Sequence, residues 1–116
     1  MKKRYRIKKN SEIDAIFKKK KSKGDAWFSI HFDEDQDADH FRYAISIGKK
    51  YGKAHQRNLA KRRVRNIVHE LNHQFIKNKL FIVVIKPKAH DLTYKEMQEK
   101  LLILFKKSNI MENLHD

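Results

Sequence analysis

A short apolar run near position 80 constrains the fold more than any other feature of this sequence. Residues 80–85 read Leu-Phe-Ile-Val-Val-Ile, and Pro87 follows almost at once. An apolar run of this length is typical of a strand buried in a sheet, and proline ends such a strand because it has no N–H to donate. The run is far shorter than the ~20 residues of a membrane-spanning helix. We therefore predict a buried strand in a soluble, cytoplasmic protein, which the absence of cysteine also fits.

Two further strands are predicted upstream of this run. Residues 27–32 and 41–47 alternate between apolar and polar side chains, as strands with one buried face do. The acidic segment 33–39 lies between them and is predicted to form a turn. Two strands separated by a turn favour a hairpin, so we expect these two to pair directly.

Helices account for most of the remaining chain. Ser11 is a suitable N-cap for a first helix that runs to about Lys20, with Ile13, Ala15, Ile16 and Phe17 on its inner face, and Thr93 is a suitable N-cap for the last helix. A long middle helix is predicted over residues 56–75. Its inner face repeats at helical spacing: Ala60, Val64, Ile67, Leu71 and Phe75.

The chain of 116 residues is the size of one domain. We predict a single α+β domain over residues 1–116, a sheet with helices packed on it. Residues 1–9 would form a basic N-terminal arm, and residues 109–116 a flexible tail.

Positive charge is the main compositional feature. The chain has 28 lysines and arginines against 14 acidic residues, and residues 41–69 contain no acidic residue at all. Such an excess repels itself in a folded protein and indicates an anionic partner. Nucleic acid fits best, because neutralising its phosphates releases bound counterions.

The middle helix would carry these cations on a rigid surface. Arg57, Lys61 and Arg65 recur every fourth residue, with Asn58 and Arg62 beside them, while the apolar residues point into the core. Arginine can pair with phosphate through two hydrogen bonds, and asparagine can bond a sugar or base edge. A face that served solubility alone would mix both signs of charge. The helix is therefore predicted to bind phosphates.

The segment 50–62 resembles the signature of the bacterial ribonuclease P protein family, K-x-G-x-A-x-x-R-N-x-x-K-R. Every specified position is filled, and the basic start of the chain is similar to the family's start. The matching residues are Lys50, Gly52, Ala54, Arg57, Asn58, Lys61 and Arg62.

This resemblance implies an αβββαβα order, a sheet of about four strands, a left-handed βαβ crossover and a short extra strand near residues 21–24. It also implies RNA contacts along the signature. To these we add Lys53 from the same basic loop and Arg65, which lies one turn further along the helix. The predicted RNA-binding set is Lys50, Lys53, Arg57, Asn58, Lys61, Arg62 and Arg65.

The family also has a cleft between its first helix and the sheet, which receives the single-stranded 5′ leader of precursor tRNA. The positions that line up with this cleft are Ile13, Phe17 and His31. Aromatic side chains stack on bases of any sequence, as a leader-binding cleft requires. Ile13 stands where an aromatic residue is common, and His31 stands where tyrosine is common.

The resemblance implies a subunit of ribonuclease P that helps to remove the 5′ leader from precursor tRNA. Its partners would be the catalytic RNA and precursor tRNA, with no membrane and no obligate protein partner. Catalysis and most Mg²⁺ would belong to the RNA, so no catalytic residue is predicted in this chain. Composition alone would also fit an RNA-binding protein of ribosomal or assembly type.

Residues 69–73 spell His-Glu-Leu-Asn-His, the H-E-x-x-H pattern of zinc peptidases. No recognisable third ligand follows, and a strongly cationic helix disfavours a zinc ion nearby. We therefore expect no metal site and no zinc here. Two histidines near the end of a helix suit its dipole when they are charged.

Overall fold

The computed structural model of the chain describes residues 5–112. The order of elements is αβββαβα, as the family resemblance implied, and the short first strand is confirmed. The elements are α1 (Asn10–Lys18), β1 (Ser22–Gly24), β2 (Phe28–Glu34), β3 (Arg42–Ile47), α2 (Ala54–Glu70), β4 (Lys79–Ile85) and α3 (Tyr94–Lys107). None of the helices in the described part is long and apolar enough to cross a membrane.

The apolar run forms the inner strand β4 of a four-stranded sheet with the order β1-β2-β4-β3. β4 pairs antiparallel with β2 and parallel with β3, so Phe81 lies opposite both Phe32 and Tyr43. Phe81, Ile82 and Val83 are completely buried. The prediction of a buried strand is confirmed, and helix α2 makes the crossover between the parallel strands β3 and β4. The left hand of this crossover stays a prediction.

The predicted hairpin between the second and third strands is wrong. β2 and β3 do not pair, because β4 lies between them. A direct β2–β3 hairpin would leave β4 at an edge, although its side chains are apolar on both faces. The predicted acidic turn also begins too early, since Asp33 and Glu34 belong to β2 and pair with β4.

The sheet has two unequal cores. Helices α2 and α3 cover one face, where an aromatic cluster of Phe41, Phe75, Phe81 and Phe105 fills the centre with ring centroids 4.8–6.0 Å apart. Helix α1 covers part of the other face, where Ile16 packs with Ile7, Leu80 and Ile82. The second face is covered only in part and therefore has room for a cleft.

Helix α1 begins at Asn10 with Lys9 at the N-cap position, so the prediction of Ser11 as N-cap is wrong. Of its predicted inner face, Ile16 is buried, whereas Ala15 is exposed because it lies on the solvent side. Glu12 accepts two hydrogen bonds of 2.9 Å from the Arg42 guanidinium on β3. This hydrogen-bonded contact lowers the pKa of Glu12 and ties α1 to the sheet.

Helix α2 ends at Glu70, five residues before the predicted end. Leu71 leaves the helical conformation and is half-buried. A short 3-10 turn then carries Phe75 into an isolated bridge with Met111, where it joins the aromatic cluster. Continuing the helix to residue 75 would have prevented this change of direction.

Helix α3 and the residues directly after it are anchored to the core. Thr93 is the N-cap of α3, as predicted, and its Oγ1 accepts a hydrogen bond of 3.2 Å from the Glu96 N–H. Beyond the helix, Ile110 and Met111 are buried. Residues 1–4 of the predicted arm and 113–116 of the predicted tail lie outside the described residues.

Candidate nucleic-acid interface

The packing of α2 decides which of its side chains can meet a partner. Ala60, Val64, Ile67 and Val68 face the sheet and are at most 2% exposed. The remaining positions of the helix are therefore directed sideways or into solvent. A helix anchored by four buried side chains holds its polar residues on a rigid surface.

The predicted RNA-binding residues of α2 occupy this outer surface in two rows. Lys61 and Arg65 are half-buried and line a groove between α2 and the N-terminal arm. Asn58 and Arg62 are exposed on the solvent side. Within residues 5–112, no salt bridge involves a lysine or arginine of α2. The positive charge of this surface is thus available to an external anion.

Arg57 has a structural role as well as a charge. Its Nη1 donates a hydrogen bond of 2.7 Å to the carbonyl oxygen of Gly52. The N–H of the next residue, Lys53, donates a hydrogen bond of 2.8 Å to Oε1 of Gln56. These two bonds fix the loop that carries the exposed side chains of Lys50 and Lys53. The loop and the helix therefore form one surface.

Replacing Gly52 with alanine should disturb this junction. Gly52 has a φ of +156°, and an added Cβ would overlap Oε1 of Gln56. The Gln56 side chain would have to leave the Lys53 N–H, so we expect a loss of about 1–2 kcal/mol in the free energy of unfolding. Urea denaturation measures this loss. Gly48→Ala is the matched control, because a Cβ there meets nothing within 4 Å; equal stability of the two variants would contradict the role of Gly52.

The three residues of the predicted leader cleft lie on the second face of the sheet. Phe17 on α1 and His31 on β2 make an edge-to-face contact with ring centroids 4.7 Å apart. Both are half-buried, so each ring keeps some exposed surface. Ile13 lies one helical turn before Phe17 and packs against the same apolar cluster. The structure brings Phe17 and His31 together and leaves Ile13 nearer to α2.

His31 lies in a setting that favours the neutral imidazole. Burial lowers its pKa, and the charge of Lys86 lowers it further. Its Nδ1 is buried without a hydrogen-bond partner, while Nε2 lies 3.4 Å from the Ser29 hydroxyl. A neutral ring beside Phe17 offers an uncharged stacking surface and one unused polar atom.

Ile13 connects the cleft to the basic helix. It lines the groove that holds Lys61 and Arg65, and also an adjoining cavity of about 270 Å³ lined by Ala44, Ser46 and Lys61. Ile13 thus lies between Phe17, one turn further along α1, and the cations of α2.

Two lysines and an arginine near these surfaces were not among the predicted site residues. Arg6 and Lys8 line the groove beside α2, and Lys86 lies close enough to His31 to affect its pKa. The basic character of the arm was visible in the sequence, but its position against α2 was not. A single bridge between Arg6 and Tyr43 sets that position.

The H-E-x-x-H segment does not lie on one helix. His69 and Glu70 end α2, whereas His73 belongs to the following 3-10 turn. Glu70 accepts a hydrogen bond of 2.6 Å from the Tyr94 hydroxyl, and burial together with this bond raises the pKa of Tyr94 to about 12. Glu70 therefore links α2 to α3. No group of three potential metal ligands occurs in the described part of the chain.

Comparison with known proteins gives a consistent result. A family model described as Ribonuclease P matches residues 1–109. The ribonuclease P protein component of Phytoplasma australiense is 40% identical to this chain over 111 residues, 96% of each sequence. The solved RNase P protein of Staphylococcus aureus superposes with a TM-score of 0.85 at 33% identity, covering 93% of this chain and 98% of its own. The solved RNase P protein of Thermotoga maritima superposes with a TM-score of 0.80 at 29% identity, covering 88% of this chain and 96% of its own.

Proposed function

The chain belongs to the ribonuclease P protein family, and from this premise we propose that it binds the catalytic RNA through α2 and the leader of precursor tRNA through the α1 cleft. As a ribonuclease P protein component it is a subunit of a tRNA-processing endoribonuclease. The partner of such a subunit is the ribonuclease P RNA. We also propose that the chain contacts precursor tRNA and that it acts in the cytoplasm.

The observation that carries the proposal is the unpaired positive surface of α2. Lys61, Arg62 and Arg65 are held by a buried apolar face, and none of them forms a salt bridge with another residue of the 5–112 range. Phosphate contacts of this kind fix the register of a protein on RNA, and Asn58 adds a group that can bond a sugar or base. We assign Lys50, Lys53 and Arg57 to the same contact.

The cleft supports a second contact of a different kind. Phe17 and the neutral ring of His31 offer stacking surfaces that every base can use. Ile13 cannot stack, but its position at the groove would guide the strand toward Lys61. Sequence-tolerant contact suits a leader whose sequence differs from one precursor to the next.

The chemical step is assigned to the RNA subunit. Mg²⁺ prefers oxygen ligands such as carboxylates. The residues that line the groove carry none, and the one carboxylate of α2, Glu70, lies at its last position and bonds Tyr94. These residues do not fit a Mg²⁺ site, so the protein's part is to neutralise charge and position the substrate. Mg²⁺ held by the RNA would supply charge stabilisation at the scissile phosphodiester.

Reconstitution tests the proposal directly. Precursor tRNA is incubated at low Mg²⁺ with the protein, the catalytic RNA or both, and the released leader is measured. We expect no cleavage by the protein alone, slow cleavage by the RNA alone, and fast cleavage by the mixture. A protein that leaves the rate of the RNA unchanged would contradict the proposed subunit role.

Replacing Phe17 with alanine should selectively harm substrates with long leaders. The variant loses one stacking surface, worth about 1–3 kcal/mol per base, so KM for a long-leader precursor should rise at least about fivefold. Binding of mature tRNA, which has no leader, should stay the same. Phe17→Leu is the matched control, since it keeps an apolar side chain on the α1 cluster but has no ring. Equal loss for both tRNA substrates would indicate a folding defect instead.

A further inference from the structure

Arg42 differs from the other cations of the acid-free segment 41–69. Its Nη1 and Nη2 each donate a hydrogen bond of 2.9 Å to an oxygen of the Glu12 carboxylate. Among residues 5–112, no other lysine or arginine of this segment forms a salt bridge. The charge of Arg42 is therefore neutralised by the protein itself, and its role should differ from that of the RNA-binding cations.

The contact between Glu12 and Arg42 has the geometry in which an ion pair near the surface is strongest. One guanidinium gives two hydrogen bonds to one carboxylate, which fixes the angle between the groups as well as their distance. The Glu12 and Arg42 side chains are 32% and 27% exposed, so water screens the pair only in part. The bonds to Glu12, together with the charge of Asp35, raise the pKa of Arg42. Both partners are thus charged at neutral pH.

Helix α1 has few other contacts that could fix its position. Of its nine residues, all within the described range, Ile16 alone is buried. The helix packs on β2 and β4, whereas on the side of β3 a cavity of about 270 Å³ is lined by Ile13, Ala44 and Ser46. Within residues 5–112, the Glu12–Arg42 pair is the one salt bridge between α1 and the sheet.

The two ends of α1 are held in different ways. At the C-terminal end, Lys20 has a φ of 56° and turns the chain into β1, whose Ser22 lies opposite His31. This short connection keeps the end of the helix beside β2. At the other end, Glu12 lies in the first helical turn and is bonded to the first residue of β3. The pair therefore sets the tilt of α1 across the sheet.

We propose that Glu12 and Arg42 are positioning residues for the leader cleft. By fixing the tilt of α1, the pair holds Ile13 and Phe17 at a constant distance from the sheet, so that the cleft is open to a single strand before that strand arrives. This role rests on the proposed function, which places the leader against Phe17 and His31. A helix without the pair would have to be ordered by the leader itself, and that ordering lowers affinity.

Residual dipolar couplings measured by NMR test the positioning role without any RNA, because they report the orientation of α1 relative to the sheet. In Glu12→Ala, which keeps a good helix former but removes the contact, we expect the couplings of residues 12–17 to become smaller through averaging. The couplings of β2 and β4 should stay those of the wild type. Glu34→Ala is the matched control, since Glu34 pairs with Lys79 between β2 and β4. Wild-type α1 couplings in Glu12→Ala would overturn the proposal.

Kinetics of the holoenzyme give the functional readout. In Glu12→Ala, KM for a precursor with a long leader should rise about two- to fivefold, as for one well-formed but partly exposed ion pair. The kcat and the affinity for the catalytic RNA should not change. Glu12→Gln keeps one acceptor oxygen for Arg42, so its KM should lie between those of the wild type and Glu12→Ala. A long-leader KM in Glu12→Ala equal to that of the wild type and of Glu34→Ala would overturn the proposal.

A double variant shows whether the pair acts through the cleft. If Glu12 serves to place α1 for the leader, adding Glu12→Ala to Phe17→Ala should raise KM little further, because both changes remove the same contact. Fully additive losses would overturn the positioning role. A wild-type holoenzyme with equal KM for long and short leaders would instead contradict the leader contact of the proposed function, and the couplings of the free protein would still decide whether the pair fixes α1.

Discussion

Arg62→Ala is expected to weaken binding of the ribonuclease P RNA by roughly 10- to 100-fold, the value of one charge-assisted hydrogen bond of about 1.5–3 kcal/mol. Arg62 is exposed and forms no salt bridge with any residue that the structure describes. The plot of log K against log salt should therefore flatten by about one phosphate contact, while the melting temperature stays the same. Filter binding at several salt concentrations measures both quantities.

Arg57→Ala should have a larger effect than Arg62→Ala. This variant loses a positive charge and also the 2.7 Å hydrogen bond to the Gly52 carbonyl, so the loop with Lys50 and Lys53 is released. Arg57→Lys keeps the charge but cannot reproduce the planar guanidinium. Arg57→Lys should therefore have the salt dependence of the wild type but a lower affinity for the RNA.

Lys95→Ala provides the matched control for both arginines. Lys95 is exposed on α3, outside the basic surface, and its loss changes the net charge by the same amount. Its salt slope should equal that of the wild type. Equal slopes in Arg57→Ala, Arg62→Ala and Lys95→Ala would mean that binding responds to total charge and that α2 is not the contact surface.

Phe81→Ala is expected to cause the largest loss of stability, about 3–5 kcal/mol. Phe81 is completely buried in β4 and contacts the rings of Phe41, Tyr43, Phe75 and Phe105. The free energy of unfolding of a domain is about 5–15 kcal/mol, so this one substitution would remove a large share of it. Urea denaturation followed by circular dichroism measures the difference.

Phe32→Ala is the control for this substitution. Phe32 lies directly opposite Phe81 in the β2–β4 register but is only half-buried. Phe32→Ala should lower the free energy of unfolding clearly less than Phe81→Ala does. Similar values for the two variants would show that the aromatic cluster is not the centre of the core.

Local patterns in the sequence predicted the individual elements well. The run at residues 80–85 identified β4, Thr93 marked the start of α3, and the spacing of Ala60, Val64 and Ile67 identified the buried face of α2. Each of these signals depends on neighbouring residues only. The signature at residues 50–62 identified the family for the same reason, since it is continuous in the chain.

The features that could not be predicted depend on contacts between distant residues. Strand pairing is one, because residues 27–32 and 41–47 carry no information about a partner that follows them by tens of residues. The groove between the N-terminal arm and α2 is another. Tyr43 has the pattern of an ordinary inward strand residue, and nothing in the sequence shows that Arg6 pairs beside it. Ser11 is not the N-cap because the helix begins at Asn10, with Lys9 at the N-cap position.

The inner position of β4 has a consequence for synthesis of the protein. β2 and β3 each pair with β4, which is made after both of them. While the ribosome is still making α2, β3 has no strand to pair with and β2 has only the three-residue β1. Pairings of such long sequence separation form slowly. The nascent chain therefore displays most of its positive charge before it has a stable sheet, and stable folding must await the last third of translation.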